Sequence, residues 1–94
     1  MSKQDVYVAK MKLQLDELNS KMTALEARAQ DAKDDAKAAF DSEMGRLRDQ
    51  SRLAGAKLDE LKLAAEGSWH KLVSEMERLR AAFTRSCHDF KSQI

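Results

Sequence analysis

Proline is absent from this 94-residue chain, glycine occurs three times, cysteine once, and aromatics make up only 5% of the residues. Each scarcity excludes something. Without proline, nothing in the covalent chain forces a helix to stop. With so few glycines there is no phosphate-cradling loop, and the dinucleotide and P-loop patterns are missing. A single cysteine, Cys87, rules out an intramolecular disulfide framework and makes a reducing, cytoplasmic setting the default. No apolar run approaches the roughly 18 residues of a membrane span. Nor does the Val6-Tyr7-Val8-Ala9 stretch extend into the core of a secretory signal.

What is present is charge and helix-forming residues. Charged residues are 35% of the chain, but 17 basic groups nearly cancel 16 acidic ones. Such a balance gives no strong field for steering toward nucleic acid or anionic lipid. Ala, Leu, Met, Lys, Arg and Glu dominate, most of them strong helix formers. Acid-first pairs recur at helical spacing: Glu17–Lys21 at i,i+4, then Asp34–Lys37, Glu43–Arg46, Asp49–Arg52, Asp59–Lys62, Glu75–Arg78 and Glu77–Arg80 at i,i+3. Each is worth about 0.2–0.5 kcal/mol, and their repetition supports helix along nearly the whole chain.

The apolar residues form a seam. Val8, Met11, Leu15, Leu18, Met22 and Leu25 are spaced 3-4, and Ala29, Ala32, Ala36 and Ala39 continue the spacing with small side chains. A run of this length is a coiled-coil signature. The alanine stretch buries little area, so it is the weaker part of the seam. Ala36, Phe40 and Met44 then step 4-4, a stutter that locally unwinds a left-handed supercoil. The seam resumes through Leu47, Ser51, Ala54, Leu58, Leu61 and Ala65, steps 4-4 again to Trp69, and ends with Leu72, Met76, Leu79, Phe83, Cys87, Phe90 and Ile94. Leu61, Leu72, Phe83 and Ile94 recur at eleven residues, a period that suits a straight or slightly right-handed helix.

The expected fold is therefore all-α, in a single coiled-coil domain spanning 1–94. A long helix covers about 4–65, and a shorter amphipathic helix covers about 68–92. Gly67-Ser68 is the best break, with Gly67 taking a left-handed conformation and Ser68 capping the next helix. A helical hairpin is the leading arrangement and a continuous rod the alternative. A compact three-helix bundle ranks last, because it needs a further turn near Asp31–Asp35, where there is neither glycine nor proline.

Little here can carry chemistry. Cys87 and His88 are adjacent, but neighbours on a helix point about 100° apart and make no activating hydrogen bond. Cys87 is read as a small apolar seam residue and His88 as a solvated flank. His70 and Glu66 suit a helical i,i+4 hydrogen bond better than a metal site. No catalytic, metal or cofactor residues are assigned, and an enzyme is not expected. A DNA-binding zipper needs a strongly basic helix before its seam, and only Lys3 precedes this one, so nucleic acid is not an expected partner.

The order of segments resembles a family of small bacterial coiled-coil proteins associated with stress responses, whose mechanism is poorly defined. The resemblance is carried by Tyr7 to Leu18, the Ala/Lys/Asp-rich stretch Ala27 to Ala39, Leu58-Asp59-Glu60-Leu61-Lys62, and the aromatic-led helix Trp69 to Phe83. It implies a bacterial, cytoplasmic protein with a stress role, and no catalytic residues. The functional expectation is a non-catalytic structural or interaction protein, a homodimer or higher oligomer, with room for a partner helix. Its oligomer seam is Val8, Met11, Leu15, Leu18, Met22, Leu25, Phe40, Met44, Leu47, Leu58, Leu61, Leu72, Met76, Leu79, Phe83 and Phe90. The alternative is reversible binding to membrane surfaces through the 69–94 helix, with Trp69 as the partner or membrane anchor.

Overall fold

A computed structural model describes residues 2–94, the Asp34 side chain excepted. It is all-α, as the composition requires: α1 (Lys3–Gln30), α2 (Asp34–Lys62), a 3-10 turn (Glu66–Ser68) and α3 (Trp69–Gln93). The three helices pack side by side into a bundle of 50 × 19 × 17 Å. A helix of 28 residues spans about 42 Å, so the bundle is little longer than one of its helices.

The chain runs up, down and up. Tyr7, near the start of α1, meets Trp69 and Glu77 near the start of α3, so these two helices are parallel. Phe40, early in α2, meets Phe90, late in α3, so α2 runs against both. One cluster fills the centre: Met11, Leu15, Leu18, Leu25 and Ala29 from α1, Met44, Leu47, Ala54, Leu58 and Leu61 from α2, and Met76, Phe83, Cys87 and Phe90 from α3. No polar or charged residue among those described is buried with them.

The turn expected at 65–68 is present, but its chemistry differs. No glycine among the described residues has a positive φ, so Gly67 is not a left-handed cap. The Ser68 hydroxyl donates to the Ala65 carbonyl at 3.1 Å instead of accepting from an α3 N–H. The break is made by Leu63 at φ −106°, ψ 2° and by Ala65 in extended backbone at φ −73°, ψ 156°.

The long helix expected over 4–65 is divided. Its α1 half starts on Ser2, whose hydroxyl accepts from Asp5 N–H at 3.1 Å, a side-chain cap of the usual kind. It ends at Asp31, with φ −85° and ψ 0°. Lys33 is extended at φ −66°, ψ 154°, and α2 begins after it without a side-chain cap. The arrangement is thus the three-helix bundle, ranked last from sequence. The physical reason is area. Folding α1 back onto α2 and α3 buries three large-residue stripes in one core, which no single pair of helices in one chain achieves.

Candidate functional site: the groove between the first and third helices

All sixteen expected seam residues lie in the core or pack against it. Met11, Leu15, Leu18, Leu25, Met44, Leu47, Leu58, Leu61, Met76, Phe83 and Phe90 are buried, while Val8, Met22, Phe40, Leu72 and Leu79 pack around them. Trp69 joins this second group. Of the smaller seam positions, Ala39 and Ala65 are exposed. Tyr7 and Val73 pack on the core although the 3-4 spacing passes over them. For Tyr7 the only sequence signal is its position one residue before Val8.

Polar links tie each helix pair. Arg48 donates to Glu26 at 2.7 Å and the Ser51 hydroxyl bonds Asn19 across α1 and α2. Lys57 reaches Glu75 at 2.7 Å from α2 to α3, which holds the Glu75 carboxyl below the usual range and raises the lysine. From α1 to α3, the Tyr7 hydroxyl donates to Glu77 at 2.7 Å, and Arg80 donates to the same carboxylate at 2.9 Å. Hydrogen bonds from Arg80 and then Tyr7 lower Glu77, while burial and the Glu77 hydrogen bond push the Tyr7 phenol well above its ordinary value. The Tyr7 and Trp69 rings meet edge to face at 5.6 Å. These contacts form a clasp at one end of α1 and α3.

Beyond the clasp a groove runs between the same two helices. Leu18, Leu25, Ala24 and Cys87 supply an apolar lining, and Lys21, Arg28, His88 and Lys91 stand around it, enclosing about 330 Å³. No acidic side chain among the described residues lines it. Among the described residues, Lys21, Arg28 and Lys91 take part in no ion pair, whereas Lys12, Arg48, Lys57 and Arg80 do. The expected Glu17–Lys21 pair is not among the ion pairs formed, and neither are Glu43–Arg46 and Glu75–Arg78. Asp49–Arg52, Asp59–Lys62 and Glu77–Arg80 form as expected. Asp34–Lys37 lies outside the described side chains. The groove on the far side of α3 is different, since Glu43, Arg46, Arg85 and Asp89 mix both signs.

Cys87 is buried at the groove floor, and burial pushes its thiol up, so it lacks the thiolate character of a nucleophile. His88 is exposed. His70 and Glu66 are both exposed, and no hydrogen bond joins them among the described residues. No group of three or more metal-binding side chains occurs among the described residues, and no described helix is long and apolar enough to cross a membrane. The groove brings Cys87 and His88 beside Lys21, Arg28 and Lys91. Comparison with protein-family models, curated proteins and solved structures returned no match.

Proposed function

We propose that this chain is a non-catalytic helical interaction protein that takes an acidic amphipathic helix of a protein partner into the groove between α1 and α3. The observation that carries the reading is the groove's lining: an apolar floor ringed by Lys21, Arg28, Lys91 and His88, without an acid among the described residues. Parallel α1 and α3 leave the place that a fourth helix occupies in a four-helix bundle, with leucine-like anchors at i, i+3 or i+4, and i+7. Carboxylates flanking those anchors would meet Lys21, Arg28 and Lys91, which favours encounter and orientation more than raw affinity. A bacterial, cytoplasmic setting and a stress role belong to this proposal as what the family resemblance implies.

The test is a nuclear magnetic resonance titration of the full chain with a designed amphipathic helix, leucine on one face and glutamate on the others. Shifts should concentrate at Leu18–Arg28 and Thr84–Lys91 and weaken with salt. Reversing Lys21, Arg28 and Lys91 to Glu should reduce affinity at least tenfold, about 1.4 kcal/mol, with helix content unchanged. Equal binding of a lysine-flanked peptide would sink the charge argument, and binding of neither peptide would sink the groove.

Membrane-surface binding is the second reading, favoured by the sharp separation of apolar and polar faces along α3. In the bundle that apolar face is turned inward, so the bilayer would have to open the bundle. A Trp69 blue-shift on adding anionic liposomes would support it, and its absence would count against it. Self-association through the seam requires the buried residues to be shared between chains.

A further inference from the structure

We propose that residues 31–33 are a hinge through which two copies of this chain exchange their first helices, giving a dimer in which α1 and α2 become one continuous helix. The proposal is independent of the groove reading, because exchange rebuilds the same groove from two chains.

The first argument is the chemistry of the connection. Only Asp31, Ala32 and Lys33 separate α1 from α2, and no glycine or proline lies between Gln30 and Met44. Asp31 is already near helical backbone at φ −85°, ψ 0°. Lys33 has a helical φ of −66°, and its ψ of 154° is what departs from the helix. No side chain caps α2 at Lys33. Backbone bonds from the Asp31 and Ala32 N–H groups to the Arg28 and Ala29 carbonyls, at 3.2 and 3.1 Å, close the turn, and a straight helix replaces each with its own i,i+4 bond.

The second argument is the pattern through it. Leu25, Ala29, Ala32, Ala36 and Ala39 keep a 4-3-4-3 spacing, the spacing of one unbroken face. In the bundle that face is interrupted: Ala29 is buried, Ala32 and Ala36 are half-buried, and Ala39 is exposed. A continuous helix would reunite it, with small residues where two such helices cross and must approach closely.

The third argument is what opening exposes. A straightened chain leaves Met11, Leu15, Leu18 and Leu25 wet, and it leaves α2 and α3 without their α1. A second copy of this chain supplies surfaces identical to those lost, so every core contact of α1 re-forms between chains. Exchange of an identical element is a low-cost route to a dimer, and short hinge loops invite it. The other connection is the poorer hinge, since it is longer, contains a 3-10 turn, and carries the Ser68–Ala65 bond.

The test starts by refolding the full chain from denaturant at high concentration and measuring mass by light scattering with X-ray scattering in solution. A monomer with the 50 Å extent should be joined by a dimer about twice as long, built on a continuous α1–α2 helix of about 90 Å. Mixed isotope labelling then separates contacts within a chain from contacts between chains. In the exchanged dimer the Tyr7–Trp69 ring contact is between chains, while Phe40–Phe90 stays within one. Asp34→Pro should shift the monomer–dimer equilibrium at least a hundredfold toward monomer. Proline suits the first helical position, and Lys33 already holds the extended conformation that proline demands of its predecessor. A chain that stays monomeric at every concentration after refolding overturns the proposal. So does a dimer whose Tyr7–Trp69 contact lies within one chain, or a folded Asp34→Pro variant that dimerises like the parent. If Asp34→Pro does not fold, the labelling result decides alone.

Discussion

The two connections of the bundle reverse the chain with almost the same backbone. Each begins where a helix closes at ψ near 0°, at Asp31 in one and Leu63 in the other. Each then places one extended residue before the next helical segment: Lys33 at −66°, 154° and Ala65 at −73°, 156°. Their sequences differ. Around Ala65 there are a glycine, a serine that bonds back to the backbone, and a 3-10 turn before α3. Around Lys33 there are only helix-compatible residues, and the heptad spacing passes through undisturbed. The lesson is that the first turn is imposed by the core and the second is partly written locally. Substitutions that weaken the hold on α1 should therefore release the first turn and leave the second.

The largest effect is expected from the core face of α1. Leu15 is buried against the other helices, and Leu15→Ala should cost about 2–5 kcal/mol in chemical denaturation. That is a large part of the roughly 5–15 kcal/mol by which domains are stable. At the second connection, Leu63 is 89% exposed, and Leu63→Ala should change stability by less than about 0.5 kcal/mol. If Leu15→Ala cost less than about 1 kcal/mol, the core would not be what folds the chain back at 31–33.

This contrast also explains what was legible in the sequence. The 3-4 spacing identified the inward residues because an amphipathic helix shows the same stripe whether its partner is another chain or another part of itself. Hence Met11, Leu15, Leu47 and Phe83 could be named, but not the neighbours they meet. Gly67-Ser68 marked the second turn, although neither residue works there as its type suggested. The turn at 31–33 was not legible because Asp31, Ala32 and Lys33 have no preference against helix strong enough to signal it. The groove was hidden for a similar reason. Lys21 and Arg28 look like any solvated cations until α1 and α3 lie parallel and bring them beside His88 and Lys91.

The clasp of Tyr7, Glu77 and Arg80 holds α1 at the end away from its turn, so it sharpens the same comparison. Glu77 is lowered, by Arg80 first and then by Tyr7, so its charge stabilises the fold above the ordinary carboxyl range, near pH 4. That contribution is lost as pH falls through the lowered folded value. Tyr7 is raised, chiefly by burial, so its protonated form stabilises the fold below about pH 10 and is lost as pH rises toward the folded value. Because Tyr7 is the only tyrosine, tyrosinate absorbance should report this late ionisation without ambiguity. Tyr7→Phe should cost about 1 kcal/mol and flatten the alkaline side of the stability profile. An absorbance midpoint at the ordinary tyrosine value would mean the clasp does not form in solution.

Gly67→Ala is a small expected change, of opposite sign to Tyr7→Phe, and bears most directly on how the second turn is made. A left-handed glycine would make alanine costly there, because Cβ clashes in that region. Gly67 has no positive φ, and a Cβ added to it meets nothing within 4 Å. Alanine should therefore be accepted and should stabilise the protein by about 0.4–1 kcal/mol, mainly by restricting the unfolded chain. The thermal midpoint would rise by a few degrees. A loss of stability of the same size would show that the turn depends on glycine after all. A gain would mean that both reversals rest on one backbone device, an extended residue between two helical segments, which many side chains can adopt. The order in which the turns yield would then be set by the packing behind them. Phe40, Phe83 and Phe90 cluster around α2 and α3, whereas α1 contributes to the core mainly leucine, methionine and alanine.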